Sequence, residues 1–191
     1  MDFNQMAYSA AHIFGGHIIN LNDDKAQFSY GWAGASIKDE HTPSLFFKLA
    51  QASGVKEFMD YVDDVAKDGY NGMGVNLVLG DNSGDIGYLM LSSLPVRKDQ
   101  TPYIGCRILD GTKSTYDWVE NVNVKATDLP RSFNPEKGYI VTANNRQTSD
   151  YAKQDYGATV MATARSIRIT EMIEESISAG KRFTHEDMAA I

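Results

Sequence analysis

Two apolar runs joined by a short polar turn set the first constraint on this chain. Asn76-Leu-Val-Leu79 and Ile86-Gly-Tyr-Leu-Met-Leu91 flank Asp81-Asn-Ser-Gly84. A connection that short pairs its strands antiparallel, and Gly84 supplies the left-handed residue after a type I turn. The reading is a β-hairpin over residues 73–91. Asp81, Asn82, Ser83 and Asp85 also suggest a calcium loop, but its remaining ligands, including a distal glutamate, are missing, so the turn is preferred.

Before the hairpin the apolar spacing is helical. Thr42-Pro43 gives a hydroxyl N-cap followed by proline at the first helical position, with Leu45, Phe46, Leu49 and Ala50 on one face. A second helix over residues 55–67 carries Val55, Phe58, Met59, Val62, Val65 and Ala66 at helical spacing, and Gly69 is placed to end it. Earlier, residues 16–19 and 27–33 read as two strands around a turn. Residues 92–133 are loop-rich, with short strands expected at 104–108 and 116–118.

The second informative stretch is Asn134-Pro-Glu-Lys-Gly-Tyr-Ile-Val-Thr-Ala-Asn-Asn-Arg146. Asn134-Pro135 opens a turn, Gly138 closes it, and residues 139–143 have the β-branched and aromatic content of a short buried strand. Asn144, Asn145 and Arg146 then form a polar tip. It reads either as a turn at a strand end or as donors held rigidly over a site. A long helix comes next, with Ile169, Met172, Ile173 and Ile177 on one face, ending at Gly180. Thr184 and Asp187 resemble a capping box, and Phe183 and Met188 its hydrophobic staple. That last helix stops four residues after Asp187, at Ile191, which suggests a chain cut short.

With 191 residues, one domain is expected. The net charge of −7 and the lack of a basic run argue against nucleic acid and anionic membrane surfaces as partners. No apolar stretch approaches the roughly 18 residues of a membrane span, and no basic-then-apolar signal peptide is visible at the N-terminus. Cys106 is the single cysteine, so no intrachain disulfide forms, and compartment stays open. A lone cysteine is more often a small core residue than a nucleophile. The four histidines lack metal-ligand spacing, and no glycine-rich phosphate loop joins a strand to a helix.

The stretch from Asn134 to Arg146 resembles a signature of the penicillin acylase family, whose members are N-terminal-nucleophile amidohydrolases. The resemblance extends to Asn76-Leu-Val-Leu-Gly-Asp81 with Gly84-Asp-Ile-Gly-Tyr88, then Pro95-Val-Arg97, Pro102 to Gly105, Trp118, Leu129-Pro130 and Arg165-x-x-Arg168-Ile-Thr-Glu. It covers roughly residues 40–191. Glu120, Asp85 and the loose Pro102-Tyr-Ile-Gly105 depart from the family pattern in ways that affect loop shape and leave substrate preference open. The resemblance implies an α+β fold: part of an αββα sandwich with mainly antiparallel strands. It implies that residues 1–191 are a single partial domain of the catalytic unit, truncated at both ends.

By the same resemblance, the whole enzyme cleaves a linear carbon–nitrogen amide bond through an acyl-serine intermediate. Its nucleophile is an N-terminal residue whose own α-amine serves as base. No serine here has the Ser-Asn-x-Trp context, so this chain lacks the nucleophile. Asn144 matches the oxyanion asparagine, and Arg168 an arginine that orients it; Arg165 is the less expected partner, and Asn145 a turn residue. Val75 matches an aliphatic wall of the acyl pocket, and Phe46 or Phe47 an aromatic there, Phe47 being chosen. Asp155 matches a ligand of a structural calcium found in some members, while catalysis itself needs no cofactor. The implied partners are a small-molecule amide and the N-terminal portion of the same precursor, namely the α chain and the start of the β chain. Two alternatives stand: a catalytically inactive binding or scaffold protein that kept the fold, and an acyl-homoserine-lactone or lipid-amide acylase of the same family.

Overall fold

A computed structural model describes residues 16–19, 28–31, 41–101, 104–148 and 163–191. Strands β1 (Gly16–Ile19) and β2 (Phe28–Gly31) pair antiparallel in the two regions expected. Helices α1 (Thr42–Gln51) and α2 (Val55–Val65) precede the hairpin of β3 (Val75–Gly80) and β4 (Ile86–Leu91). Then come β5 (Pro95–Arg97), β6 (Trp118–Asn123), β7 (Arg131–Phe133), α3 (Ala164–Ser178) and α4 (His185–Ala189). The described strands all pair antiparallel, in the order β3-β4-β7 and in the two-stranded pairs β1-β2 and β5-β6.

The hairpin forms as its alternation dictates, from Val75 opposite Leu91 to Gly80 opposite Ile86, with Gly84 at φ 92° in the turn. The Asp81 carboxylate is engaged by backbone N–H groups: Oδ1 accepts from Ser83 (2.8 Å) and Asp85 (3.2 Å), and Oδ2 from Val55 at the start of α2 (2.9 Å). The N-cap of α2 is Gly54, which has no side chain to cap it, so Asp81 supplies the acceptor from across the fold. These bonds hold the Asp81 carboxyl below the usual carboxylate range, the Val55 N–H contributing most.

The helical stripe of α2 becomes the core. Val55, Phe58, Met59 and Val62 are buried against Leu45, Tyr70, Leu89, Leu91, Val124 and Leu129. Full burial of each large side chain contributes about 1.5–3 kcal/mol. Helix α1 begins one residue earlier than its sequence suggests: His41 occupies the cap position without a side-chain cap bond, and the Thr42 hydroxyl accepts from Met73 N–H (2.8 Å). His41 Nδ1 accepts from Asn71 N–H (2.9 Å), a backbone role.

Three expected strands differ from the structure. Residues 104–106 form a 3-10 turn closed by Ile104 N–H to Thr101 O and Arg107 N–H to Ile104 O, and Ile108 lies in solvent. Residues 114–116 are also 3-10, and the strand there is β6, starting at Trp118. Residues 139–143 are not in a sheet. The chain leaves β7 at Asn134, whose φ of 45° breaks the extended run while its Oδ1 accepts from Ile86 N–H (2.9 Å). Residues 139–143 meet α3 instead of a strand: the Tyr139 hydroxyl bonds Glu174, and Ala143 is bonded by Thr163.

Candidate active site

The polar tip after residue 143 is built by local chemistry. Asn144 sits at φ 63°, in the left-handed region that asparagine tolerates better than most side chains. Asn145 Oδ1 accepts from Ala143 N–H (2.9 Å) and Gln147 Nε2 (3.1 Å), so Asn145 is the turn residue. Ala143 is buried, whereas Asn144 is exposed.

Helix α3 brings its first turn against this tip. Its N-cap is Thr163, whose hydroxyl accepts from Ser166 N–H (3.0 Å) and donates to Ala143 O (2.9 Å). Arg165, two positions into the helix, donates through Nη2 to Asn144 Oδ1 (2.8 Å) and to Ala143 O (3.4 Å). A cation in a first turn opposes the helix dipole, so these two oxygens are what offset its placement there. With Oδ1 held by a guanidinium, the amide orientation is fixed, because the opposite flip would set NH₂ against N–H. Among the described residues, Asn144 Nδ2 then has no hydrogen-bond partner. The arrangement leaves a primary amide with its acceptor end anchored and its donor end open.

Arg168 is elsewhere. It lies about 4.5 Å farther along the helix axis than Arg165, and its Nη1 reaches Glu171 (3.2 Å) and Glu175 (3.5 Å) on the same helix. The structure thus puts Arg165, not Arg168, beside Asn144. The readable signal was Thr163: taking it as N-cap places Arg165 in the first turn, where a side chain faces what precedes the helix.

A shallow apolar groove of about 280 Å³, counting space open to solvent, lies between α1 and β3. Val75 lines it together with Leu45, Phe46, Phe58, Met73 and Leu77. Phe47 does not line it and is 73% exposed; of the two adjacent phenylalanines it is Phe46 that faces the groove, beside Phe58 and Tyr70. Asp155 lies outside the described residues. Among the described residues, no cluster of three or more His, Cys, Asp or Glu side chains could hold a metal.

The penicillin amidase family model matches residues 14–191 of this chain. The chain belongs to that family. It is 28% identical over 156 residues to the penicillin acylase 2 proenzyme of Pseudomonas sp. (strain SE83), a match covering 82% of this chain and 19% of that relative. Among solved structures it resembles a thermostable penicillin G acylase from Alcaligenes faecalis, with a TM-score of 0.54 and 19% identity over 84% of this chain and 31% of that one. The shared fold is an α+β fold with antiparallel strands, and the chain spans about a fifth of the length of the curated relative. The residues gathered at the tip (Asn144, Thr163 and Arg165) all fall within the matched region.

Proposed function

We propose that this chain supplies the oxyanion side of a penicillin amidase-family amidohydrolase that cleaves a linear amide through an acyl-serine intermediate. The observation that carries the reading is the Asn144 amide, its oxygen bonded by Arg165 and its NH₂ unpartnered among the described residues. Amide hydrolysis puts negative charge on the former carbonyl oxygen, and a preorganised N–H donor there lowers the barrier most.

In this reading, a hydroxyl from a segment outside residues 1–191 attacks the amide carbon. Its α-amine, with an ordinary pKa of about 7.7–8.0, takes the hydroxyl proton. Asn144 Nδ2 donates to the resulting oxyanion. Collapse breaks the C–N bond, the amine leaves with the transferred proton, and water then releases the acid from the serine ester. Val75 and Phe46 are assigned to the acyl group, since their groove is apolar. No cofactor takes part in any step, and calcium at Asp155 is a structural proposal only.

The test is Asn144→Ala in the longer polypeptide that carries the nucleophile. Loss of one oxyanion donor lowers turnover by about 10²–10³. Wild-type turnover in that variant overturns the assignment.

A further inference from the structure

We propose that Thr163 is a positioning residue for Asn144, joining the start of α3 to the tip and holding the amide in its donor orientation. The catalytic consequence rests on the oxyanion reading above; the latch itself does not.

One hydroxyl does two jobs. Thr163 Oγ1 accepts from Ser166 N–H (3.0 Å), which caps α3, and gives its single proton to Ala143 O (2.9 Å). The Ala143 carbonyl belongs to the peptide plane whose nitrogen is that of Asn144, so holding that oxygen holds the plane from which Asn144 turns to φ 63°. Arg165 then fixes the side chain of Asn144 through Oδ1 (2.8 Å). The Ala143 carbonyl is thus held by Thr163 (2.9 Å) and, at longer range, by Arg165 Nη2 (3.4 Å), and the Asn144 side chain by Arg165, all from the start of one helix. Thr163 is itself secured, because Ser166 Oγ donates to Thr163 O (2.8 Å). A left-handed asparagine is not at its preferred conformation, and such residues persist where their surroundings over-determine them. Without the Thr163 proton, the peptide plane at Ala143 keeps only the longer bond from Arg165 (3.4 Å), its shorter tether is gone, and the amide loses its aim.

Three replacements separate the cap from the latch. Thr163→Asp keeps an acceptor for Ser166 N–H but, ionised, has no proton for Ala143 O. Thr163→Val removes both functions, and Thr163→Ser restores both. The readouts are thermal unfolding and ¹⁵N relaxation of the Asn144 amides in this chain, and kcat and KM in the longer enzyme, with Asn144→Ala measured alongside. The latch predicts that Thr163→Asp melts within a few degrees of wild type, yet the Asn144 backbone order parameter falls from about 0.85 to below about 0.6. It also predicts that kcat drops about 10–100-fold with KM unchanged, since a misplacement near 1 Å costs on that scale. Thr163→Ser recovers most of what Thr163→Val loses. If Thr163→Asp keeps both order and kcat, Thr163 is only a helix cap and the proposal fails. If order is lost in Thr163→Asp while Asn144→Ala turns over normally, the latch stands, but its catalytic half falls with the oxyanion reading.

Discussion

The closeness of α2 to the central sheet depends on one glycine, and a Gly87→Ala substitution measures it. Gly87 is buried in β4, opposite Leu79 and Phe133. A Cβ there would lie 2.6 Å from Val55 Cγ1, 3.3 Å from Met59 Sδ and 3.8 Å from Ser132 O. Carbon atoms pack at about 3.5–4.0 Å, so Val55 would have to retreat by roughly 1 Å. Its β-branched side chain is stiff about χ1, and its backbone N–H is tied to Asp81 Oδ2 at 2.9 Å. The Met59 thioether can give way; Val55 cannot easily.

Overpacking of this kind costs about 1–3 kcal/mol, offset by about 0.4–1 kcal/mol from the lower chain entropy of unfolded alanine. The expected net loss is about 1–2 kcal/mol, with α2, and hence the Phe58 wall of the groove, displaced. Val55→Ala alone should cost about 2 kcal/mol, two buried methyls plus a residual cavity. In the double variant the clashing Cγ1 is gone and the new methyl half-fills the space. The two costs should therefore fall short of additive by about 1–3 kcal/mol. Urea denaturation followed by far-ultraviolet circular dichroism, with unchanged slope, gives all three values. Additivity within about 0.5 kcal/mol would refute the steric argument.

Two further outcomes test the electrostatic joints of the helical layer. The Glu57 carboxyl, bonded first by Lys48 and then by Ser53, is lowered from 4.5 to about 2; its contribution is complete above pH 4.5 and is lost as pH falls towards 2. A ¹³C carboxyl titration with its midpoint near 4.5 would contradict that pairing. Asp81→Ala removes the acceptor of Val55 N–H, so hydrogen exchange at Val55 should quicken and the melting temperature fall by a few degrees; unchanged exchange at Val55 would show that Gly54 needs no distant cap.

Local determinants were the part of the structure legible in the sequence. The 73–91 hairpin arises from two-residue alternation around Asp81-Asn-Ser-Gly84, and the capping box of Thr184 and Asp187 is present at the start of α4. The strand expected at residues 139–143 was wrong because β-propensity describes a residue's fit to a sheet, not whether a neighbour is there. Asn134 ends the pairing beside Ile86, and the segment then bonds to α3. Strand β7 is only three residues long and is specified by its partner, β4. At the tip, the motif drew attention to Asn144, whose catalytic role is proposed above, while the pairing of Arg165 rather than Arg168 with it turned on where α3 begins. Phe46 and Phe47 are adjacent on α1, and only the seating of that helix put Phe46 at the groove.

The central claim concerns the direction of a single amide, and a crystal structure of the longer enzyme bearing a phosphonate tetrahedral mimic on its nucleophile tests it most directly. The account predicts Asn144 Nδ2 within about 2.7–3.1 Å of the phosphonyl oxygen, with Oδ1 still bonded to Arg165. An Asn144 amide turned away from that oxygen, with another donor in its place, would contradict it.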